Sequence, residues 1–405
     1  MKITIATGPI FPVPAVRGGA VQRMWEGLAR EFVKRGHEVT MFAREFPGQP
    51  REETLDGIRY VRCGGYAQST SIKRDLLQCL LYALKTARHV PPGDVVVTND
   101  FWMPAVLPWL KRSPGKIVVN ANRFPKKQYW LYRNCAAIAA VSGAVAAALK
   151  EQTPSLANKV AVVPNAIDEV FLKETKGIRD QETKRPEDDG TTGRVVKILY
   201  VGRIHPEKGL VLLASALKSL QQNRGLARWP RGKAGSGEQE AWECVLVGPV
   251  AAAEGGGGEA FAGRLSELTK GLPVTIEPPV YGTKALAALY DTGDILVYPS
   301  AAELGEAMPL APLEAMARGL VPVVSDLPVF REYLEPGVNG LVFAHRDGAG
   351  AANLARALGD LVADCGRRER LGEAARTTAQ KFSPAAVAEQ YLQLFGKLAF
   401  PGGCG

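Results

Sequence analysis

Histidine is scarce in this chain: His37, His89, His205 and His345 are the only four in 405 residues. No two of them have ligand-like spacing, so no metal site is expected. The six cysteines, Cys63, Cys79, Cys135, Cys244, Cys365 and Cys404, include no C-x-x-C pair. That argues against a zinc ribbon or a disulfide framework and fits reduced thiols in a cytoplasm. No apolar run approaches the roughly 18–20 residues that a bilayer span requires. The chain opens on strand-like MKITIA with no leader pattern, so a cytoplasmic protein is expected. No repeat of about 20–50 residues is visible, which removes the solenoid classes.

What is present is a composition of ordinary globular type, 46% hydrophobic and 22% charged, on a chain longer than one core usually supports. Two or three domains are therefore expected. The net charge of +9 is unevenly placed: residues 1–172 hold 23 Lys+Arg against 13 Asp+Glu. The densest part is 73–133, where eleven basic residues face only Asp75, Asp94 and Asp100. Such a field suits an anionic membrane surface, a nucleic acid or a phosphorylated acceptor, or it is simply a solvated face. Within it, RFPKKQYWLYR (123–133) interleaves aromatic residues with cations. It reads as an acceptor-side or membrane-surface patch, or as a partly packed helix. No known nucleic-acid module matches, so a nucleic-acid partner is not expected.

Short β-branched runs alternate with helical patterns, which predicts parallel sheets of βαβ units. KITIA (2–6), HEVTMF (37–42), DVVVTN (94–99), KIVVNA (116–121), AAIAAVS (136–142) and KVAVVPN (159–165) form a first series, with a helix near 19–35 ending at Gly36. Residues 173–193 are polar and highly charged and read as a linker. A second series follows: VVKILYVG (195–202), ECVLVG (243–248), PVTIEP (273–278), DILVYPS (294–300), LVPVVS (320–325) and GLVFA (340–344). The glycine-rich and charged stretches 223–243 and 251–260 read as loop insertions that do not pack. The final pattern, 382–400, places Val387, Tyr391, Leu394 and Leu398 at helical spacing and must lie on something apolar.

Two stretches carry chemistry. In VGRIHPEKGL (201–210) a strand ends at Gly202, and Arg203 and Lys208 precede a helix start. Two cations at the carboxyl end of a parallel strand, beside a helix N-terminus, suit a diphosphate, although two exposed turn cations would look the same. In LGEAMPLAPLEAMARG (304–319), Glu306 and Glu314 stand eight residues apart. Pro312 suits a first helical turn and Gly319 a left-handed cap. Glu306 is then expected in the loop and Glu314 in the first turn, with backbone N–H groups at 310–314 open to an anion. One carboxylate in the loop and one on the helix can then reach hydroxyls on either side of a diphosphate, unless Glu314 merely complements the helix dipole.

GRIHPEKG and the Glu306–Glu314 pair, followed by LEAMARGLVPVVSDLPVFREYLEPGVNGLVF, resemble the retaining glycosyltransferases of family 4. GPIFPVPAVRGGA (8–20) is similar to that family's first-strand loop, and VVPNAID (162–168) to the segment ending its first domain. The resemblance covers nearly the whole chain. It implies an α/β GT-B fold of two Rossmann-like, doubly wound parallel-sheet domains facing a cleft. The boundaries would be 1–172 plus 384–405 for an acceptor-side domain with a returning helix, 173–193 for the linker, and 194–383 for a nucleotide-sugar domain. It implies transfer of a hexose from a UDP-sugar, or secondly a GDP-sugar, to a carbohydrate, lipid-linked or small-molecule hydroxyl, without a cofactor. Arg203 and Lys208 would neutralise the departing diphosphate, Glu306 would bind a sugar hydroxyl, and Glu314 the ribose. Gly18 and Gly19 would admit the phosphates without a Cβ clash, and Tyr281 would lie near the base. Asn165, Met308, Leu310 and Ala311 complete the substrate contacts. The acceptor proton would pass to a phosphate oxygen, so charge stabilisation takes the place of an enzymic base.

This chain departs from the family pattern at three points. VTND (97–100) puts Asn99 where many relatives have a histidine, leaving Asp100 to take part of that role. Pro309 removes an N–H from the loop, and Val21 stands where an acidic residue is common. No D-x-D triplet occurs, so metal-bridged phosphate binding is not expected. Two rivals remain: a nucleotide-sugar epimerase of the same fold, which needs a titratable pair that Asn99 does not supply, and a non-catalytic nucleotide-sugar-binding or scaffold protein. The basic first domain also admits peripheral attachment at the inner face of a membrane.

Overall fold

Runs such as VVVT and ILVY lack polar alternation, which suits strands buried on both faces of a parallel sheet, and both are buried along their full length. The computed structural model describes residues 1–15, 19–69, 71–173, 195–224 and 241–400. Gly18, nearly all of the 173–193 linker and most of the 223–243 stretch therefore lie outside the described residues.

The first compact unit comprises Met1–Glu169 and Phe382–Gly405, and the second Val170–Lys381. The first holds β1 (Lys2–Ala6), α1 (Ala20–Lys34), β2 (Glu38–Ala43), β3 (Glu52–Leu55), β4 (Ile58–Arg62) and α2 (Ile72–Thr86). It continues with β5 (Val95–Thr98), α3 (Met103–Leu110), β6 (Lys116–Ala121), β7 (Ala137–Ala140), α4 (Gly143–Gln152) and β8 (Val160–Val162). Its eight strands run in the order β3-β4-β2-β1-β5-β6-β7-β8, parallel except for β3 against β4. Ile3 of β1 pairs with Val39 on one side and Val95 on the other, so crossovers leave β1 in opposite directions.

After a single turn, α5 (Glu169–Leu172), the second unit holds β9 (Val196–Val201), α6 (Leu210–Arg224), β10 (Trp242–Val247), α7 (Glu259–Leu268), β11 (Val274–Glu277) and α8 (Thr283–Asp291). Then come β12 (Ile295–Tyr298), α9 (Leu310–Ala317), β13 (Val321–Ser325), β14 (Leu341–Phe343), α10 (Gly350–Ala363) and α11 (Cys365–Ala379). Its six strands are all parallel, in the order β11-β10-β9-β12-β13-β14. The order reverses between β9 and β12, and such a switch point opens a crevice at the carboxyl ends of the strands.

The last helix, α12 (Pro384–Ala399), packs on α1 of the first unit. Ser383 caps it by accepting the Ala386 N–H at 3.2 Å. Tyr391 meets Trp25 at 4.9 Å between ring centroids, and Phe395 meets Phe32 at 5.9 Å. Val387 and Tyr391 are buried as their spacing predicts. Leu394 and Leu398 are only partly buried, because Phe395 fills the inward position between them. The 123–133 stretch forms no helix beyond a 3₁₀ turn at Tyr129–Tyr132, with both tyrosines buried and Trp130 exposed.

Candidate functional site

In the second unit, the chain leaving β9 makes a 3₁₀ turn over Pro206–Lys208 that His205 caps, its Nδ1 accepting the Glu207 N–H at 3.3 Å. Gly209 ends this turn at φ 71°, where a Cβ would lie 1.9 Å from the Pro299 carbonyl oxygen. Only glycine allows that approach, and it brings Lys208 against the end of β12. Lys208 and Glu306 are each 6% exposed. The ammonium lies 2.5 Å from Glu306 Oε1 and donates to Tyr298 Oη at 3.3 Å. Ser300 and Tyr298 hydroxyls donate to the same Oε1 at 2.7 and 3.2 Å. One carboxylate oxygen thus gathers a cation and two hydroxyls at the switch point.

Arg203 pairs with Glu207 and donates from Nη1 to the Gly255 carbonyl at 2.9 Å. Its own carbonyl accepts from Tyr200 Oη at 2.8 Å. The Gly255 contact corrects the expectation that 251–260 does not pack. Gly257 N–H donates to Ile204 at 2.8 Å, and Gly258 N–H to Val250 at 2.9 Å. A Cβ on Gly256 would lie 2.1 Å from the Val250 oxygen. The glycines here serve close backbone approach, which composition alone reads as looseness.

Glu306 lies in the loop after β12, as its place before the helix predicts. Glu314, however, is the fifth residue of α9 and not in its first turn, because the helix already begins at Leu310, directly after Pro309. It accepts from Tyr290 Oη on α8 at 3.2 Å. The N–H groups without intrahelical acceptors are those of Leu310 and Ala311, since Pro309 and Pro312 have none. Met308 is buried, while Leu310 and Ala311 are half-buried. Gly319 follows the helix at φ 79° and its N–H reaches the Met316 carbonyl at 2.8 Å, the left-handed ending its position predicts. Tyr281 stands 65% exposed in the turn before α8.

A cluster that the sequence reading missed holds this loop from the outside. Arg346 takes both oxygens of Glu303, at 2.7 and 2.8 Å, and donates to Asp326 at 2.8 Å. The His345 ring lies between Asp326 and Glu303. The hydrogen bond from Arg346 holds Glu303 below the ordinary carboxylate value. Burial pushes Asp326 upward, but hydrogen bonds from His345 outweigh it and leave the group lowered. The only signal in the sequence was charge placed directly after the apolar runs of β13 and β14. Among the described residues, no group of three or more His, Cys, Asp or Glu is arranged to hold a metal ion.

In the first unit the loops after β1 and β5 meet at that sheet's own reversal point. Gly19 precedes α1 at φ 85°, where a Cβ would lie 2.6 Å from Gln22 Oε1. Asn99 donates to the Ala6 carbonyl at 3.1 Å, while its Oδ1 accepts from Trp25 Nε1 at 2.7 Å and Asn120 Nδ2 at 2.9 Å. Tyr391 of α12 donates to Asn120 at 3.5 Å, so the Asn99 amide is tied into a network spanning β1, α1, β6 and α12. Asp100 Oδ1 caps α3 by accepting the Trp102 and Met103 N–H groups at 3.0 and 2.7 Å. The residue is half-exposed, yet its Oδ2 is sealed from solvent with no hydrogen-bond partner among the described residues. Burial pushes this carboxyl from 3.8 to about 6, against the pull of the two capping bonds. Asn165 is half-buried after β8.

Two family models match the chain: "Glycosyltransferase Family 4" over residues 17–171 and "Glycosyl transferases group 1" over 181–378. The chain is 25% identical to spore coat protein SA of Bacillus subtilis, across 98% of this chain and 100% of that protein. It is 26% identical to a D-inositol 3-phosphate glycosyltransferase of Kineococcus radiotolerans, across 97% and 94%. Among solved structures, HepE of Anabaena in complex with UDP and glucose superposes with a TM-score of 0.67 at 17% identity, over 98% of this chain and 100% of that one.

Proposed function

We propose, for a chain that belongs to the group 1/family 4 glycosyltransferases and has their two Rossmann-like GT-B domains, that it moves a hexose from a UDP-sugar to an acceptor hydroxyl with retention of configuration. The observation that carries the reading is the buried Lys208–Glu306 pair with Tyr298 and Ser300 at the β9/β12 switch point. Folding alone gains little from burying such a pair, whereas a diphosphate at the ends of parallel strands needs charge there. UDP, the nucleotide bound by the Anabaena protein, is the first donor to test and GDP the second.

In this reading Lys208 and Arg203 take the charge that builds on the departing diphosphate. The bond from the anomeric carbon to phosphate oxygen breaks, and the acceptor oxygen bonds to that carbon on the same face. The acceptor proton goes to the phosphate oxygen that left. Preorganised donors give the stabilisation, here the two cations with the Leu310 and Ala311 N–H groups beside Met308. Glu306 holds a sugar hydroxyl, Glu314 the ribose, and Tyr281 the base. Gly18, Gly19, Asn99, Asp100 and Asn165 serve the acceptor and phosphate side. The acceptor is a carbohydrate, a lipid-linked glycan or a small molecule, and the reaction is cytoplasmic.

Calorimetric titration with UDP, GDP and ADP, and with Lys208→Ala as control, tests the donor. Binding of UDP that the substitution weakens, together with acceptor-dependent release of UDP, is the expected result. Turnover should fall on the order of 10²-fold in Lys208→Ala or Arg203→Ala. Near wild-type turnover in both would overturn the diphosphate assignment, and nucleotide binding without any release would favour the scaffold reading.

A further inference from the structure

A surface helix buries one stripe and shows water the opposite one, which is normally charged. Helix α1 follows the rule, with Arg30 and Lys34 at its exposed positions. Helix α2 does not. It buries Cys79, Tyr82, Ala83 and Thr86, and on the opposite stripe, at helical spacing, stand Leu77, Leu81 and Leu84, exposed by 58%, 46% and 46%. Those leucines make no contribution to the core and give a continuous apolar ridge of a kind that soluble surfaces avoid.

The surroundings of the ridge are cationic. Lys73 lies on the same stripe one turn before the leucines, Arg74 and Lys85 flank it, and Arg88 follows in the 3₁₀ turn Ala87–His89 directly after the helix; all four are exposed. The one carboxylate on the helix, Asp75, faces away and accepts the Ser69 N–H at 2.9 Å. Helix α3 packs beside α2, and Trp102 Nε1 donates to the Leu76 carbonyl at 3.0 Å to fix the two together. Two further exposed aromatic side chains stand on the elements packed next to it: Trp109 at the end of α3, 71% exposed, and Trp130 in the 3₁₀ turn against α3, 59% exposed.

We propose that the α2 face of the first unit docks on an anionic phospholipid bilayer. The leucine ridge enters the interface, Trp109 and Trp130 sit at headgroup depth, and the four cations meet lipid phosphates. The combination is what commits the surface to lipid. Apolar residues with interfacial tryptophans and a rim of one charge sign match a membrane boundary, whereas a protein interface is depleted of unpaired like charge at its centre. This inference is independent of the transfer reaction.

The test is co-sedimentation of the full chain with vesicles of phosphatidylcholine alone and of phosphatidylcholine mixed with phosphatidylglycerol, at low and high salt. Binding to the mixed vesicles, weakened by salt, is expected. Leu77→Gln with Leu81→Gln should lower the partition coefficient about tenfold or more. Lys73→Gln and Arg88→Gln should lower it about fivefold each on anionic vesicles. All four side chains are solvent-facing, so unchanged thermal unfolding midpoints will separate lost binding from lost folding. No partitioning onto the anionic vesicles, or partitioning that none of these substitutions reduces, overturns the assignment. So does a concentration-dependent dimer that the leucine substitutions dissolve, since a second copy would then cover the ridge.

Discussion

Lys208→Met tests whether the paired charges at the β9/β12 junction are as consequential as their burial implies. Lys208 and Glu306 side chains are 7% and 6% exposed, so removing the ammonium strands a carboxylate away from water. Breaking a buried pair from one side costs about 3–5 kcal/mol. The hydroxyls of Tyr298 and Ser300 still donate to Glu306, which places the expected loss near the lower figure. That is a large share of the ~5–15 kcal/mol that holds a domain together. The double substitution Lys208→Met with Glu306→Gln removes both charges, and its loss should return to within about 1 kcal/mol of wild type. Urea unfolding of the four proteins of this cycle, followed by circular dichroism, gives the coupling directly. A single substitution as stable as wild type, or a double as damaged as the single, would refute the reasoning. The double variant also separates folding from chemistry, because it should remain folded while turnover stays reduced on the order of 10²-fold.

Two other perturbations read different parts of the structure. Asp100 is an acid whose folded value is raised from 3.8 to about 6, so the native state binds more protons than the unfolded one between those values. Stability contributed by its neutral form is therefore lost as pH rises through that window, by up to ~3 kcal/mol. Asp100→Asn keeps the capping oxygen and removes the charge, so it should match wild type near pH ~4 and exceed it by about 1–3 kcal/mol near pH ~7; an equal difference at both would refute the account. Gly209→Ala places a Cβ 1.9 Å from a backbone oxygen at φ 71°, and a lowered unfolding midpoint equivalent to at least about 2 kcal/mol is expected, whereas a neutral result would mean the turn relaxes.

The central strands of both sheets were legible because burial on both faces leaves an unbroken apolar run, and VVVT and ILVY need no partner to be recognised. The β3–β4 hairpin was overlooked although its turn was written plainly. Asp56 and Gly57, at φ 51° and 76°, are the two-residue D-G pair that such hairpins favour, but the flanking EETL is mostly exposed and has no apolar run to draw attention. Lys208 and Glu306 were each visible as chemistry-bearing residues, yet their pairing was not, because 98 residues separate them and no periodicity encodes that distance. The same holds for Arg346, which reaches Glu303 across 43 residues. The boundary of α9 was misplaced inward for a local reason: Pro312 was the visible helix-starting signal, while Pro309, already the capping residue, set the true beginning.

The resemblance assigns Glu306 to a sugar hydroxyl, and the structure gives the same residue an internal duty, which raises the question of whether one carboxylate can do both. Its oxygens divide the work. Oε1 accepts from Lys208, Tyr298 and Ser300, which saturates that atom, while Oε2 accepts nothing from the described residues. Two lone-pair sites on Oε2 therefore remain for hydroxyl donors. Lys208 is placed in the same way: two of its N–H donors are directed at Glu306 and Tyr298, and the third is not taken up among the described residues. An anion approaching the junction would meet that third donor without first breaking the pair, so it would not bear the desolvation penalty of a newly separated buried charge. The internal bonds fix the orientation of both side chains before any ligand arrives, which is the preorganisation that electrostatic stabilisation requires. The pairing that neutralises the two residues is thus compatible with binding, and it explains why a lysine is tolerated at 6% exposure at all.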